Sequence, residues 1–285
     1  MWQLIAGAVM ISFSAVFVKL VSVSPTASAF YRMLFGGVML LAIVLWRRER
    51  PRVTPTAAGV LCLAALFFAL DLFMWHRSVL YVGPGISTLL ANFQVFVLAA
   101  VGVLVFRERL TWLQAVSIPL AVLGLALLVG TDWAELPPLY KRGVLLGLLT
   151  ACCYAGYILS LRRSRVAAHM GSSFATITVI SLATAALLAL AMLVEHDSFS
   201  IPTWRDAGWL LLYGISGQVL GWVLISNGLA KVPASQAGLI LLLQSVGAFL
   251  WDGLFFGRRF TLVETAGAVL ALAAIYLGSQ RRTSA

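Results

Sequence analysis

Long apolar runs separated by short polar links make up almost the whole chain. Ten runs can be drawn, at about 2–20, 26–46, 57–80, 85–105, 112–130, 143–162, 173–194, 206–229, 234–255 and 262–279. Each approaches the roughly 20 residues a helix needs to cross the hydrocarbon core of a bilayer. Lipid offers no partner to backbone N–H and C=O groups, so every run is predicted to be helical; a barrel would show short alternating strands instead. The expected fold is an all-α integral membrane protein of ten transmembrane helices, with one membrane domain over 1–285.

The runs fall into two sets of five, 1–130 and 143–280. A shift of 150 residues lays Phe106-Arg107-Glu108-Arg109-Leu110-Thr111 on Phe256-Gly257-Arg258-Arg259-Phe260-Thr261, and Gln94 on Gln244. Over 94–130 against 244–280 there are 8 identities in 37 positions. Tyr81-Val82-Gly83-Pro84 opens the fourth run and Lys231-Val232-Pro233 the ninth, where proline suits a helix start. Because five is odd, the second set must cross the membrane upside down relative to the first. An inverted repeat is the architecture of alternating-access transporters.

Composition sharpens this picture. With 61% hydrophobic and 11% charged residues, the chain cannot clothe a soluble core in polar side chains. The net charge of +10 would fit a nucleic-acid partner, but the cations sit in short links at span ends. One side of the membrane collects Arg47, Arg48, Arg50, Arg52, Arg107, Arg109, Arg162, Arg163, Arg165, Lys231, Arg281 and Arg282, which is 12 of the 20 Lys and Arg. The other side has Lys19, Arg32, Arg77, Lys141, Arg142, Arg205, Arg258 and Arg259. Positive links stay cytoplasmic, so both termini are expected inside. The 47–52 link is basic, whereas its counterpart begins Glu195-His196-Asp197, an exchange of charge that an inverted repeat would give. Cys62, Cys152 and Cys153 fall inside spans with no metal or redox spacing, and read as small packing residues. Pro25-Thr26-Ala27-Ser28-Ala29 has the look of a signal-peptidase site, but no Lys or Arg precedes the first run, so cleavage is not expected.

With Arg32 in Ala29-Phe30-Tyr31-Arg32, the Val-Gly-Pro and Val-Pro-Ala links and Glu108 in Phe-Arg-Glu-Arg-Leu-Thr, the chain resembles the drug/metabolite transporter superfamily, in its ten-helix EamA branch. It departs in having Gln94 and Gln244 where mid-helix prolines are usual, and Arg258 where a Glu is typical. The resemblance implies export of small metabolites across a bacterial inner membrane, and the exporters of aromatic and other amino acids look most similar.

Polar groups inside a span are costly, so each is a candidate for function; the competing role is a helix-to-helix hydrogen bond worth about 0.6–2 kcal/mol. Gln94 and Gln244 occupy repeat-equivalent mid-span positions, and an amide can serve both ends of a zwitterion. Asn92 lies about 200° around the helix from Gln94, so Gln94 is preferred. Asp71 with Trp75, and Gln218 with Trp222, are four apart and predicted to share a face, each setting a polar group beside an aromatic plate. Tyr154 and Tyr157 in the sixth run, with Ser12 and Ser14 in the first, are a further candidate lining. His76 and Asp252, near outer span ends, are a candidate gate, and the competing structural role for Asp71 is pairing with Arg77 or another outer-leaflet cation.

No GxSxG, HExxH, Walker loop or zinc spacing is present, so neither an enzyme nor a cofactor is expected. The expected partners are a small-molecule substrate and the lipid bilayer, with the chain a monomer. The rivals are a proton-coupled multidrug exporter, although the first run holds no Asp or Glu, and an intramembrane lipid-modifying enzyme, for which converging reactive groups are missing.

Overall fold

The computed structural model describes residues 1–49, 55–107, 111–130, 133–167, 173–229 and 240–280. Glu108 and Lys231-Val232-Pro233 lie outside them. Helices α1 (Trp2–Ser12) and α2 (Ser14–Leu20) make the first span, α3 (Pro25–Trp46) the second and α4 (Pro55–Val82) the third. Helices α5 (Pro84–Ala91) and α6 (Gln94–Phe106) make the fourth, α7 (Trp112–Val129) the fifth, α8 (Pro138–Ala167) the sixth and α9 (Ser173–Val194) the seventh. The eighth joins α10 (Trp204–Tyr213), a π-helical stretch (Gly214–Gly221) and α11 (Trp222–Leu229). Helix α12 (Leu243–Phe256) belongs to the ninth span, and α13 (Leu262–Ser279) is the tenth. Among the described residues, nine helical runs are long and apolar enough to cross a membrane. The ninth span, expected over 234–255, is described only from Ile240.

Local backbone features repeat at the 150-residue offset. Arg107 and Gly257, at φ 55° and 65°, end α6 and α12 in the left-handed conformation. Thr111 with Gln114, and Thr261 with Glu264, build reciprocal capping boxes at the starts of α7 and α13, each hydroxyl and carboxamide or carboxylate satisfying a backbone donor the helix leaves free. The fourth span breaks at Asn92–Phe93 and the ninth at Leu242, where unbroken helices were expected. At the first break no proline is needed: Asn92 Nδ2 donates to Thr88 O (2.9 Å), a side-chain bond that competes with the helical ladder.

The spans pair antiparallel across the halves. Between α3 and α9, Thr26 meets Glu195, Gly37 meets Leu182 and Arg47 meets Phe174, so the numbers run in opposite directions. Between α7 and α13, Gly124 abuts Ala271 and Gly267 abuts Leu128; between α1 and α11, Gly7 abuts Ile225 and Gly228 abuts Leu4. Bare glycine backbones permit this approach, and lipid-embedded helices rely on such van der Waals contact. Spans 3 and 6 pair closely through α4 and α8, and spans 4 and 9 through α5 and α12. Exchanging each span with the one five places on maps 3–6 onto 8–1, and returns 2–7, 4–9 and 5–10 to themselves. The packing therefore has a pseudo-two-fold axis relating oppositely running helices, the geometry of an inverted five-plus-five repeat.

Candidate functional site

Arg32 of α3 and Asp71 of α4, side chains of opposite formal charge, are buried in the first half, with His76 of α4 beside them. Arg32 comes to lie there because Ser24 caps α3, its Oγ accepting from Ala27 N (3.0 Å), with Pro25 at the first helical position. The Arg32 guanidinium donates from Nη1 to the Tyr213 hydroxyl (3.0 Å), which in turn lies 3.2 Å from His76 Nε2. His76 Nδ1 is 2.7 Å from Leu72 O. A carbonyl only accepts, so the ring proton sits on Nδ1, leaving Nε2 to accept from Tyr213. The chain Leu72–His76–Tyr213 thus fixes one edge of Arg32, while its Nε has no hydrogen-bond partner among the described residues.

Asp71 precedes Leu72, whose carbonyl holds His76, so it lies on α4 beside the Tyr213–Arg32 network. Yet no ion pair within 4 Å joins Arg32 to Asp71 among the described residues. Below them stands an aromatic wall. Phe68 stacks on Tyr157 at 4.4 Å, Tyr154 stacks on Tyr157 at 6.1 Å, and Trp222 meets Phe68 and Tyr157 edge-on at 6.4 and 6.0 Å. The Trp222 Nε1 is buried and unpartnered. Gln218 is seated against Gly36, one turn along α3 from Arg32, and donates from Nε2 to Ser181 Oγ (2.8 Å), with its Oε1 left unpartnered. Arg32 Nε, Gln218 Oε1 and Trp222 Nε1 are therefore buried polar atoms whose hydrogen-bonding capacity is unused, a costly state that a ligand can relieve.

The structure gathers Asp71, Tyr154, Tyr157 and Trp222 about this cluster, with Gln218 at its α3 side. It separates others. Gln218, in the π-helical stretch, contacts Gly36 of α3 and Ser181 of α9, while Trp222 meets Phe68 of α4 and Tyr157 of α8 and also packs against the Leu40, Ile177 and Val219 cluster. Trp75 packs one turn beyond Asp71, with Ala15, Val18, Val79 and Tyr213. Ser12 donates to Val9 O (2.6 Å) and accepts from Trp251 Nε1 (2.8 Å); it joins α1 to α12 rather than sharing a lining with Tyr154. Gln94 Oε1 is buried without a partner among the described residues and Gln244 is half-buried, while near them Asn92 Nδ2 donates across to Ser245 Oγ at 2.5 Å.

His76 and Asp252 belong to different networks and form no gate together. Asp71 does not pair with Arg77, because Arg77 Nη2 meets Glu195 Oε1 at 2.5 Å and Thr26 Oγ1 at 2.9 Å. The sequence reading gave Arg32 only as a family feature. Its signal was present, a cation inside an apolar run; Tyr213 and Ser181 carried none.

Polar contacts crowd the membrane face holding the start of α3. Ser24 Oγ donates to Asp197, Thr26 Oγ1 to Glu195 (2.5 Å), and Asp206 Oδ1 accepts from Ser22 N (2.8 Å). An open cavity of about 370 Å³ lies at the same face, lined by Lys19, Tyr81, Tyr140, Asp252, Phe256 and Arg258 among others.

The sequence profile of the EamA-like transporter family matches residues 1–130 and 141–279. An uncharacterized transporter of Bacillus subtilis, YwfM, is 28% identical over 255 residues, covering 88% of this chain and 83% of that protein. A probable glucose uptake protein of Bacillus cereus, GlcU, is 28% identical over 141 residues, covering 44% of this chain and 47% of its own length. A crystal structure described only as that of a protein superimposes with a TM-score of 0.69 over 97% of this chain and 94% of the other, at 18% identity, a likeness of fold.

Proposed function

Because the chain belongs to the EamA-like transporter family, we propose that it exports small amphipathic metabolites, amino acids with aromatic side chains among them, across the bacterial inner membrane by alternating access. One observation carries the choice of substrate: two opposite charges are buried near each other without pairing. A zwitterion bridges such a gap, its carboxylate on the guanidinium of Arg32 and its ammonium on Asp71. Arginine presents a planar fork that suits a carboxylate. The plates of Phe68, Tyr157 and Trp222 flank the side chain, while Gln218 Oε1 and Trp222 Nε1 offer further hydrogen bonds. Burial of Arg32, Asp71, Gln218 and Tyr157 makes this an occluded arrangement, which must open to one side to load and to the other to release. The chain acts as a monomer with both termini in the cytoplasm, and performs no covalent chemistry.

The test is transport of labelled phenylalanine and tryptophan in proteoliposomes, with glucose and cationic drugs in the same panel. Phenylalaninamide lacks the carboxylate and 3-phenylpropionate lacks the ammonium, so both are expected to compete poorly. Arg32→Gln should lose discrimination against the amide, and Asp71→Asn against phenylpropionate. Glucose transport without amino acid transport would favour a sugar, for which the same aromatic plates could stack a ring. Unchanged amino acid transport in both variants, at normal expression, would refute the zwitterion reading.

A further inference from the structure

The open cavity at the face bearing the start of α3 is chemically distinct from the buried cluster. Asp252 of α12 lies at its base and is fully buried. Lys19 Nζ and Arg258 Nη1 approach its two oxygens at 3.8 and 3.7 Å, beyond hydrogen-bond length. Gly85 N donates to Oδ2 at 3.3 Å, while Oδ1 has no hydrogen-bond partner. Lys19 rests its ammonium 4.4 Å above the Phe256 ring, and no hydrogen bond from it is found among the described residues. Arg258 Nη1 also donates to Val82 O, and its Nη2 stands 3.5 Å from Glu264. Both cations are partly exposed, at 27% and 22% of their side-chain surface, so they face the cavity as well as the carboxylate. Of its lining residues Lys19 and Arg258 are cationic and Asp252 is acidic, and Tyr81, Tyr140 and Phe256 supply aromatic surface.

We propose that this cavity is a second binding site, taking the carboxylate of a small amphipathic anion between Lys19 and Arg258. The loose spacing leaves the ammonium with unused donors, and an added carboxylate oxygen meets them at hydrogen-bond distance. The incoming anion competes with Asp252 for the same two cations. Since Lys19 belongs to α2, Asp252 to α12, Gly85 to α5 and Arg258 to the α12–α13 link, the site joins elements of both halves, and its ligand loosens the contacts closing this face. The inference is independent of the zwitterion reading, because its ligand needs no ammonium group.

The experiment is saturation binding of labelled phenylacetate to the full chain in lipid nanodiscs, with empty nanodiscs subtracted. One saturable site is expected. Lys19→Gln and Arg258→Gln should each weaken it at least tenfold, while Lys19→Arg and Arg258→Lys hold it within a few-fold. Arg205→Gln, which removes an exposed cation at the start of α10, should change nothing. Asp252→Asn removes the competing carboxylate and should tighten binding several-fold, a gain that misfolding cannot produce. Absence of saturable binding, binding indifferent to Lys19→Gln and Arg258→Gln, or binding weakened by Asp252→Asn would overturn the proposal.

Discussion

Tyr213→Phe removes one oxygen and leaves the ring in place. That oxygen accepts from Arg32 Nη1 and meets His76 Nε2, at 3.0 and 3.2 Å, so its loss orphans two buried groups at once. Leaving a buried polar partner unsatisfied costs about 1–3 kcal/mol in a soluble protein. Polar contacts between membrane helices average nearer 0.6 kcal/mol, with a maximum around 1.7. Two contacts therefore set the loss at roughly 1–3 kcal/mol. The Tyr213 ring also packs with Phe17 at 5.6 Å and lies 4.9 Å beneath the guanidinium, and both contacts survive, so the helices should stay docked. The freed guanidinium then has to be repositioned by the substrate, which appears as weaker binding. If about 1–2 kcal/mol of the loss reaches the bound complex, KM rises roughly 5- to 30-fold, with the maximal rate nearly unchanged. Counterflow of labelled phenylalanine in proteoliposomes measures KM, and melting in detergent measures the stability term. A variant with lowered melting temperature and unchanged KM would show that the hydroxyl glues α10 to α3 and α4 without positioning Arg32.

The other expectations concern packing, topology and the glutamines. A side chain at Gly267 would stand 2.5 Å from Leu128 N and one at Gly124 2.6 Å from Ala271 N, against backbone that cannot yield; Gly267→Val should cost about 2 kcal/mol or more by forced separation, whereas Gly59→Ala, with nothing within 4 Å, should be neutral or gain about 0.5–1 kcal/mol. Melting of the purified variants decides it. In a cysteine-free background, a cysteine at exposed His196 should react with an impermeant maleimide in intact cells and one at Arg48 should not; the reverse pattern would invert the proposed orientation. Gln94→Leu removes an amide oxygen that already lacks a partner, so stability should hold within about 0.5 kcal/mol while transport falls; a large loss of stability with normal transport would make Gln94 structural. Transport is expected to need no proton gradient, and gradient-driven accumulation abolished by Asp71→Asn would show Asp71 to be the coupling acid.

The helical spans and their two-set organisation were legible because lipid enforces helices and the halves repeat. A run of apolar residues has one solution in a bilayer, and repeated capping residues such as Thr111 and Thr261 announce the duplication directly. Site geometry was less legible wherever helices depart from regularity. The π-helical stretch between Gly214 and Gly221 has no counterpart in a pattern read at 100° per residue. Likewise Asn92 was set aside by its angle from Gln94, but the helix ends at Asn92 and the angle no longer applies. Side-chain pairings were least legible of all: Arg77 and Arg32 are equally plausible partners for Asp71 on paper, but Arg77 is taken by Glu195 and Arg32 donates to Tyr213.

The symmetry of the fold and the asymmetry of its chemistry together imply a resting state. In an inverted repeat, opening to one side and opening to the other exchange the roles of the halves, so identical halves would populate both equally. These halves differ. Position 252 is Asp in the second half, and its counterpart 102 is Gly. At the face of Ser24 the halves are joined through Asp197, Glu195, Asp206 and Asp252. At the opposite face, the described links include the stacking of Arg47 over Phe174 and the Gln114 amide on Gly278 O. Partly exposed ion pairs are worth about 0–1 kcal/mol each, so four or five such contacts bias the equilibrium by a few kcal/mol, and about 2.7 kcal/mol already holds one state at roughly a hundred to one. A ligand moves this balance only through unequal affinity for the two states. Under the proposed zwitterion reading, Arg32 and Asp71 provide for that: they gain most from a ligand charged at both ends in whichever arrangement brings both within reach. With the charge-rich seal at the face of Ser24, the chain rests closed on that side, and the substrate supplies the free energy that releases it.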